Sequence, residues 1–169
     1  MSENTARQPA GIPTGGQFAA TAHAEPEVSL VPAPGKKDQE WHDAAAALVE
    51  NGRTPEGARA GVTLVLASHL TTTYLDSGKA ALADGHETHA AMYVLAHSAL
   101  QNLPRKIHEA GDDQAAARAA VTDARDQLRR TGSMLDMMHP SGRQPVFRNA
   151  DEVLGRFEAF LSPDTAEGS

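Results

Sequence analysis

The sequence contains no cysteine, few aromatic residues and no long apolar run. The absence of cysteine excludes disulfide bonds, thiolate chemistry and a zinc ribbon, and it fits a reducing compartment. The longest strongly apolar run, "GVTLVLA" at residues 61–67, is far shorter than the ~20 residues that span a bilayer. Residues 1–20 lack the basic start and apolar stretch of a secretory signal. These absences predict a soluble, cytoplasmic protein that does not bind membranes.

Positive charge is also scarce, and alanine takes the place of larger apolar residues. The formal net charge of −7 argues against a general nucleic-acid binder, which needs concentrated Lys and Arg. Hydrophobic residues make up 40% of the 169 residues, but 31 of them are Ala, and aromatic residues make up 4%. Small side chains suit closely packed helices, whereas strands favour the β-branched and aromatic residues that are rare here. The composition therefore predicts an all-α fold.

The order of residues divides the chain into three parts. Residues 1–37 are rich in Pro and Gly and show no helical period, which predicts a disordered tail that carries a linear motif. Residues 38–161 predict an antiparallel bundle of about four to five helices. Residues 162–169 predict a disordered C-terminus. We expect the second to fourth helices to form the bundle, while the first and last cover its ends or its open side.

Capping residues and apolar periodicity predict the individual helices. Asp38 caps the first, Thr54 with Pro55 begins the second, and a capping box of Asp84 and Glu87 opens the third. The predicted apolar faces of the first two helices are Trp41, Ala45, Leu48 and Val49, followed by Val62, Val65, Leu66, His69, Thr72 or Thr73, Ala80 and Ala83. A kink near Ser77 is a further expectation, since Gly78 weakens the helix.

The second half of the chain gives the clearest helical pattern. Pro104 should kink or end the third helix near Leu103. Residues 139–145 predict a loop, and Asn149 with Glu152 predicts the cap of the last helix. The expected buried positions are Met92, Leu95, Ala96, Ala99, Leu100, Leu103 and Ile107, then the heptad seam Ala117, Val121, Ala124, Leu128, Thr131, Leu135 and Met138, then Val153, Phe157, Phe160 and Leu161.

The stretch "RQPAGIPTGGQFAAT" at residues 7–21 is the most unusual motif. It lacks the Lys-Ser/Thr pair of a phosphate-binding loop, and no predicted strand precedes it. Its two prolines restrict the backbone, Gly15 and Gly16 permit a tight turn, and Phe18 offers a single anchor. These features are typical of a docking peptide, and the alternative is a spacer without a partner.

The same stretch resembles a tail found on small proteins of high-GC Gram-positive bacteria and their phages. The resemblance covers roughly residues 7–30 and does not extend to the helical part. In such proteins the pattern precedes quite different domains, which implies an address or docking peptide. The matching positions, which we take as partner-binding candidates, are Pro9, Ala10, Gly11, Pro13, Gly15, Gly16 and Phe18.

His86 and His89 are candidate metal ligands, because a spacing of three residues brings two imidazoles to one side of a helix. A complete site would need Glu87, His69, Asp76 or a residue from another helix. The alternative is that both histidines are surface or capping residues at a helix N-terminus.

Three further groups have a structural and a functional interpretation. Ser68 with His69, and Ser98 with His97, are neighbours whose side chains diverge on a helix. "RDQLRR" at residues 125–130 predicts a solvated, ion-paired face rather than a phosphate or RNA site. Met134, Met137 and Met138 indicate an adaptable surface or a loosely packed core.

Two function hypotheses follow. The first is a non-catalytic helical interaction or adaptor protein that needs no cofactor, binds a protein partner or itself, and carries a docking or addressing peptide in its tail. The second is a small metal-dependent helical-bundle enzyme that uses His86 and His89. The incomplete ligand set favours the first.

Overall fold

The computed structural model describes residues 36–138 and 145–162, which form an all-α bundle. Their six helices are α1 (Lys36–Glu50), α2 (Pro55–Ala83), α3 (Glu87–Leu100), α4 (Leu103–Ala110), α5 (Gln114–Met138) and α6 (Pro145–Phe160). The predicted fold class is therefore confirmed. Among these six, no helix is both long and apolar enough to cross a membrane.

The main core lies between α2, α3, α4, α5 and α6. Its largest fully buried side chains include Tyr74, Leu100, Leu128 and Phe157. α1 packs on α2 and reaches α6 through Trp41, whose ring lies 5.5 Å from that of Phe157. α1 is thus an outer helix, as expected. α6 is not, because it runs along α5 and its aromatic residues complete the core.

The start of α2 follows the sequence signals. The side chain of Thr54 accepts a hydrogen bond from the backbone N–H of Gly57 at 3.1 Å, and Pro55 occupies the first helical position, where its missing N–H leaves no bond unmade. The chain also breaks where Pro104 predicts it, since α3 ends at Leu100 and α4 begins at Leu103.

Three predicted helix starts are wrong. α1 begins at Lys36, so Asp38 lies in its first turn instead of capping it. Asp84 ends α2, and α3 follows His86 without a side-chain cap, so the capping box with Glu87 does not form. α6 begins at Pro145, four residues before the predicted cap at Asn149, because proline is well suited to a first turn.

The buried face of α2 differs from the predicted one. Val62 is buried, but Val65 is 68% exposed, and His69, Ala80 and Ala83 are exposed as well. The reason is that the neighbours of α2 change along its length: α1 and the end of α4 lie beside its start, and α3 lies beside its later turns. Its buried stripe towards α3 and α4 is therefore Thr63, Ala67, Leu70, Tyr74 and Gly78.

Gly78 lies within α2, which continues to Ala83, and allows close packing against α3. A Cβ atom added at Gly78 would lie 3.2 Å from the Cβ of Tyr93 on α3, so the two helices meet closely at this point. The ring of Tyr93 packs edge-on against Tyr74, with ring centroids 5.7 Å apart. The lack of a side chain at Gly78 therefore permits the close approach of α2 and α3.

The heptad seam of α5 is buried over its first half only. Ala117, Val121, Ala124 and Leu128 are buried, Thr131 and Leu135 are half-buried, and Met138 is exposed. Val49 on α1 and Leu95 on α3 are also more exposed than their spacing predicts. The last turns of α5 thus keep only part of the seam against the core, through Leu135.

We predict that Leu128→Asp lowers the free energy of unfolding by several kcal/mol, because Leu128 is 1% exposed and the new carboxylate would be buried without a partner. Half-buried Leu135→Asp should cost less. Leu82→Asp is the matched control, since Leu82 is 61% exposed, and it should cost about 1 kcal/mol or less. Urea unfolding of the three variants measures these costs, and equal losses in all three would contradict the core placement.

Candidate functional site

Arg125 on α5 donates hydrogen bonds to two carboxylates on α6. Arg125 Nε donates to Asp151 at 2.9 Å, and its Nη1 donates to Glu158 at 2.6 Å. Arg129, one turn further along α5, also donates to Asp151 at 2.7 Å. The predicted ion-paired face therefore exists, and the acidic partners of Arg125 and Arg129 come from α6. This ionic cluster fixes the register of α5 on α6.

Gly155 makes room for this cluster. A Cβ atom at position 155 would lie 3.0–3.3 Å from the guanidinium of Arg125, closer than ordinary contact allows. The planar guanidinium can therefore cross the backbone of α6 between Asp151 and Glu158. A glycine within a helix is normally unfavourable, and here it permits the arginine contact.

The cluster changes the pKa values of its members. Partial burial raises the pKa of Asp151, but the hydrogen bonds and positive charges of Arg125 and Arg129 outweigh it and hold this pKa below the usual range. The hydrogen bond to Asp151 raises the pKa of Arg125 further above its ordinary value, and Glu158 adds to the effect. The carboxylate of Asp151 therefore stabilises the fold in its charged form.

A groove opens beside this cluster, between the last turns of α5 and the start of α6. It encloses about 390 Å³. We call it the α5–α6 groove, and from α5 it is lined by Leu128, Arg129, Gly132, Ser133 and Asp136. From α6 it is lined by Phe147, Arg148 and Asp151. Apolar, polar and charged groups thus meet in one recess.

Small residues on α5 and a buried tyrosine on α2 shape the groove. At Gly132 a Cβ atom would lie 3.6 Å from the ring of Phe147, an ordinary van der Waals distance, so α5 and the first turn of α6 already approach each other closely there. Tyr74 donates its hydroxyl hydrogen to the backbone carbonyl of Val146 at 3.0 Å, which anchors the first turn of α6. Burial raises the pKa of Tyr74 well above its ordinary value, so this hydroxyl stays protonated as a donor.

Three methionines lie on the same turns of α5 as the groove. Met134, Met137 and Met138 are 61%, 77% and 67% exposed. Of the two interpretations of these residues, the structure therefore supports the surface and not the core. Unbranched thioether side chains adapt to irregular partner surfaces, so exposed methionines are typical of contact surfaces.

The predicted metal ligands do come together, since the rings of His86 and His89 lie 6.1 Å apart at the start of α3. Both are exposed. Within residues 36–138 and 145–162, no group of three or more His, Asp or Glu side chains is arranged to hold a metal ion. The described part of the chain thus adds no third ligand to this pair.

The hydroxyl groups of Ser68 and Ser98, beside His69 and His97, donate hydrogen bonds within their own helices. Ser68 donates to the carbonyl of Leu64 at 2.8 Å, and Ser98 donates to that of Val94 at 2.9 Å. The Nδ1 atom of His97 lies 3.1 Å from the carbonyl oxygen of Thr71 on α2. These side chains therefore satisfy backbone groups and do not form a nucleophile–base pair.

The partner-binding candidates of the N-terminal motif lie outside the described residues. The acidic partners on α6 and the groove were missed by sequence reasoning, because both depend on how α6 packs against α5. Comparison with protein-family models, curated proteins and solved structures finds no match for this chain.

We predict that Asp151→Asn destabilises the protein by about 1–2 kcal/mol at pH 7, because two arginines lose a charged acceptor and the site is partly exposed to solvent. The pKa of Asp151 is lower in the folded protein than in the unfolded chain, where it is about 3.9. The charged carboxylate therefore contributes its full stabilisation above the unfolded pKa, and this stabilisation is lost as the pH falls through the folded pKa. The difference from wild type should therefore be constant from about pH 7 to 5 and shrink below about pH 4.

Urea unfolding at several pH values measures this difference. Asp126→Asn is the matched control, since Asp126 lies on the exposed face of α5. It should change the free energy of unfolding only slightly, and this change should not shrink below pH 4. A wild-type advantage over Asp151→Asn that persists undiminished at pH 3 would contradict the assignment.

Proposed function

We propose that this chain is a non-catalytic helical interaction protein. The bundle presents a contact surface for a protein partner or a second copy, and residues 7–21 act as a docking or addressing peptide. The cysteine-free composition supports a cytoplasmic setting.

The exposed methionine surface beside the α5–α6 groove carries this proposal. Met134, Met137 and Met138 put flexible apolar side chains into solvent on the last two turns of one helix. A cluster of exposed apolar side chains of this kind marks an interaction site more often than single scattered residues do. The adjoining arginines and aspartates supply a polar rim, as interfaces commonly have.

The N-terminal motif supports a second contact. Burying the side chain of Phe18 would contribute roughly 1.5–3 kcal/mol, which suits weak, reversible binding. Gly15 and Gly16 allow a backbone shape or a close approach that other residues would block. The resemblance of this stretch to tails that precede unrelated domains also supports an addressing role.

We predict that Phe18→Ala abolishes capture of the partner by the immobilised full chain, because the apolar anchor is lost. A Gly15→Val, Gly16→Val double variant should do the same, whereas Gln17→Ala should retain capture. Capture is measured by quantitative mass spectrometry of proteins retained from a lysate of the source cells, and the melting curves of all variants should match wild type.

Two controls make the result decisive. Met134→Lys with Met137→Lys should reduce capture by the bundle surface, while Val65→Lys, at a site 68% exposed on α2, should not. A chain whose residues 7–21 are scrambled at constant composition should lose the partner. If the scrambled chain retains it, the stretch is a spacer and the docking role is wrong.

A further inference from the structure

We propose that the α5–α6 groove is the docking site for Phe18 of the same chain. The inference rests on the proposed docking role of residues 7–21 and names the surface that receives it. Three observations support it: the direction in which α1 begins, the short distance to the groove, and the chemistry of the recess.

The described chain begins beside α6, and α1 runs parallel to it. Near its start, Asp38 accepts hydrogen bonds from the guanidinium of Arg156, with Nε at 3.0 Å. One turn later, Trp41 packs against Phe157 and Phe160. Higher numbers on α1 thus meet higher numbers on α6, so the two helices run in the same direction. The N-terminal end of α1 therefore lies towards the N-terminal half of α6, the half that lines the groove.

The segment before α1 is long enough to reach the groove. On α6, Asp151 is five residues and Phe147 nine residues before Arg156, which corresponds to about 8 Å and about 14 Å along the helix. Phe18 precedes Lys36 by 18 residues, and the random-coil relation for Gly-rich chains gives roughly 21–25 Å as the average span for that number of residues. The groove therefore lies within easy reach, and such a tether gives an effective concentration on the order of millimolar.

The recess suits an uncharged aromatic peptide. An apolar cavity of about 150 Å³ holds a benzene ring, so the 390 Å³ of the groove has room for a phenylalanine ring with adjoining backbone. Leu128, Gly132 and Phe147 give the groove apolar lining against which a phenylalanine ring can pack. Residues 8–24 carry no Asp, Glu, Lys or Arg, so burying Phe18 there brings no buried charge with it.

Docking within the chain has a regulatory consequence. One Phe18 side chain cannot contact the groove and a partner at the same time, so the groove covers the motif until a partner competes for it. Because the anchor is a single aromatic residue, the contact opens readily.

The absence of cysteine allows a direct test in the full chain. Ala20→Cys provides a single site for a nitroxide spin label close to Phe18. The amide NMR signals of Gly132, Ser133 and Arg148 should lose most of their intensity relative to the reduced label. The amide of Gly111, at the opposite end of α5 from the groove, should be unaffected.

Control variants identify the anchor and the occupant. Adding Phe18→Ala to the labelled chain should restore the groove signals, whereas adding Gln17→Ala should not. Mixing the labelled chain with an isotope-labelled, label-free chain should leave the groove signals of the latter intact. Unbroadened groove signals, broadening that survives Phe18→Ala, or broadening between copies would each overturn the inference. The proposed function does not fall with it, since loss of capture by Phe18→Ala is measured separately.

Discussion

The packing of α6 against α5 is the constraint on which the rest of this structure depends. Residues 139–144 connect the two helices, and the contact between the helices is ionic as well as apolar. Phe157 and Leu154 fill the core from α6, and Arg125 reaches across to Asp151 and Glu158. The groove exists only because these contacts hold the two helices in one register.

The alanine-rich core explains why α6 matters so much. Helices α2, α3 and α5 bury mainly small residues, so they approach closely but each contributes little apolar area. Gly78 allows the closest part of that approach, between α2 and α3. The aromatic side chains of α6 supply much of the large buried surface, and the hydroxyl of Tyr74 ties its first turn to α2. These contacts make α6 part of the core and not a cover over a core formed by the other helices.

The sequence signals that act locally were sufficient to predict part of the fold. Thr54 with Pro55 specifies a helix start through its own backbone, and the α5 seam is regular enough to identify Leu128 as buried. The sequence pattern predicts a loop at Pro145 and the cap of the last helix at Asn149 with Glu152, yet α6 begins at Pro145.

Features that depend on distant contacts could not be predicted. The buried stripe of α2 shifts because its neighbours change along its length, so Val65 is exposed while Tyr74 is buried. Likewise, Arg125 has acidic neighbours on its own helix, and only the packing of α6 shows that Asp151 is its partner. The histidine pair was visible from spacing alone, whereas the groove needed two helices in register.

Hydrogen exchange of the backbone amides, followed by NMR on the full chain, tests most directly whether α6 is an integral part of the bundle. The amides of Leu154 and Phe157 on α6 should exchange as slowly as those of Val121 and Leu128 on α5, because all four would then open only in global unfolding. Exchange on α6 that is faster by several orders of magnitude, with α5 still protected, would contradict this account, since α6 would detach on its own and the groove would not persist.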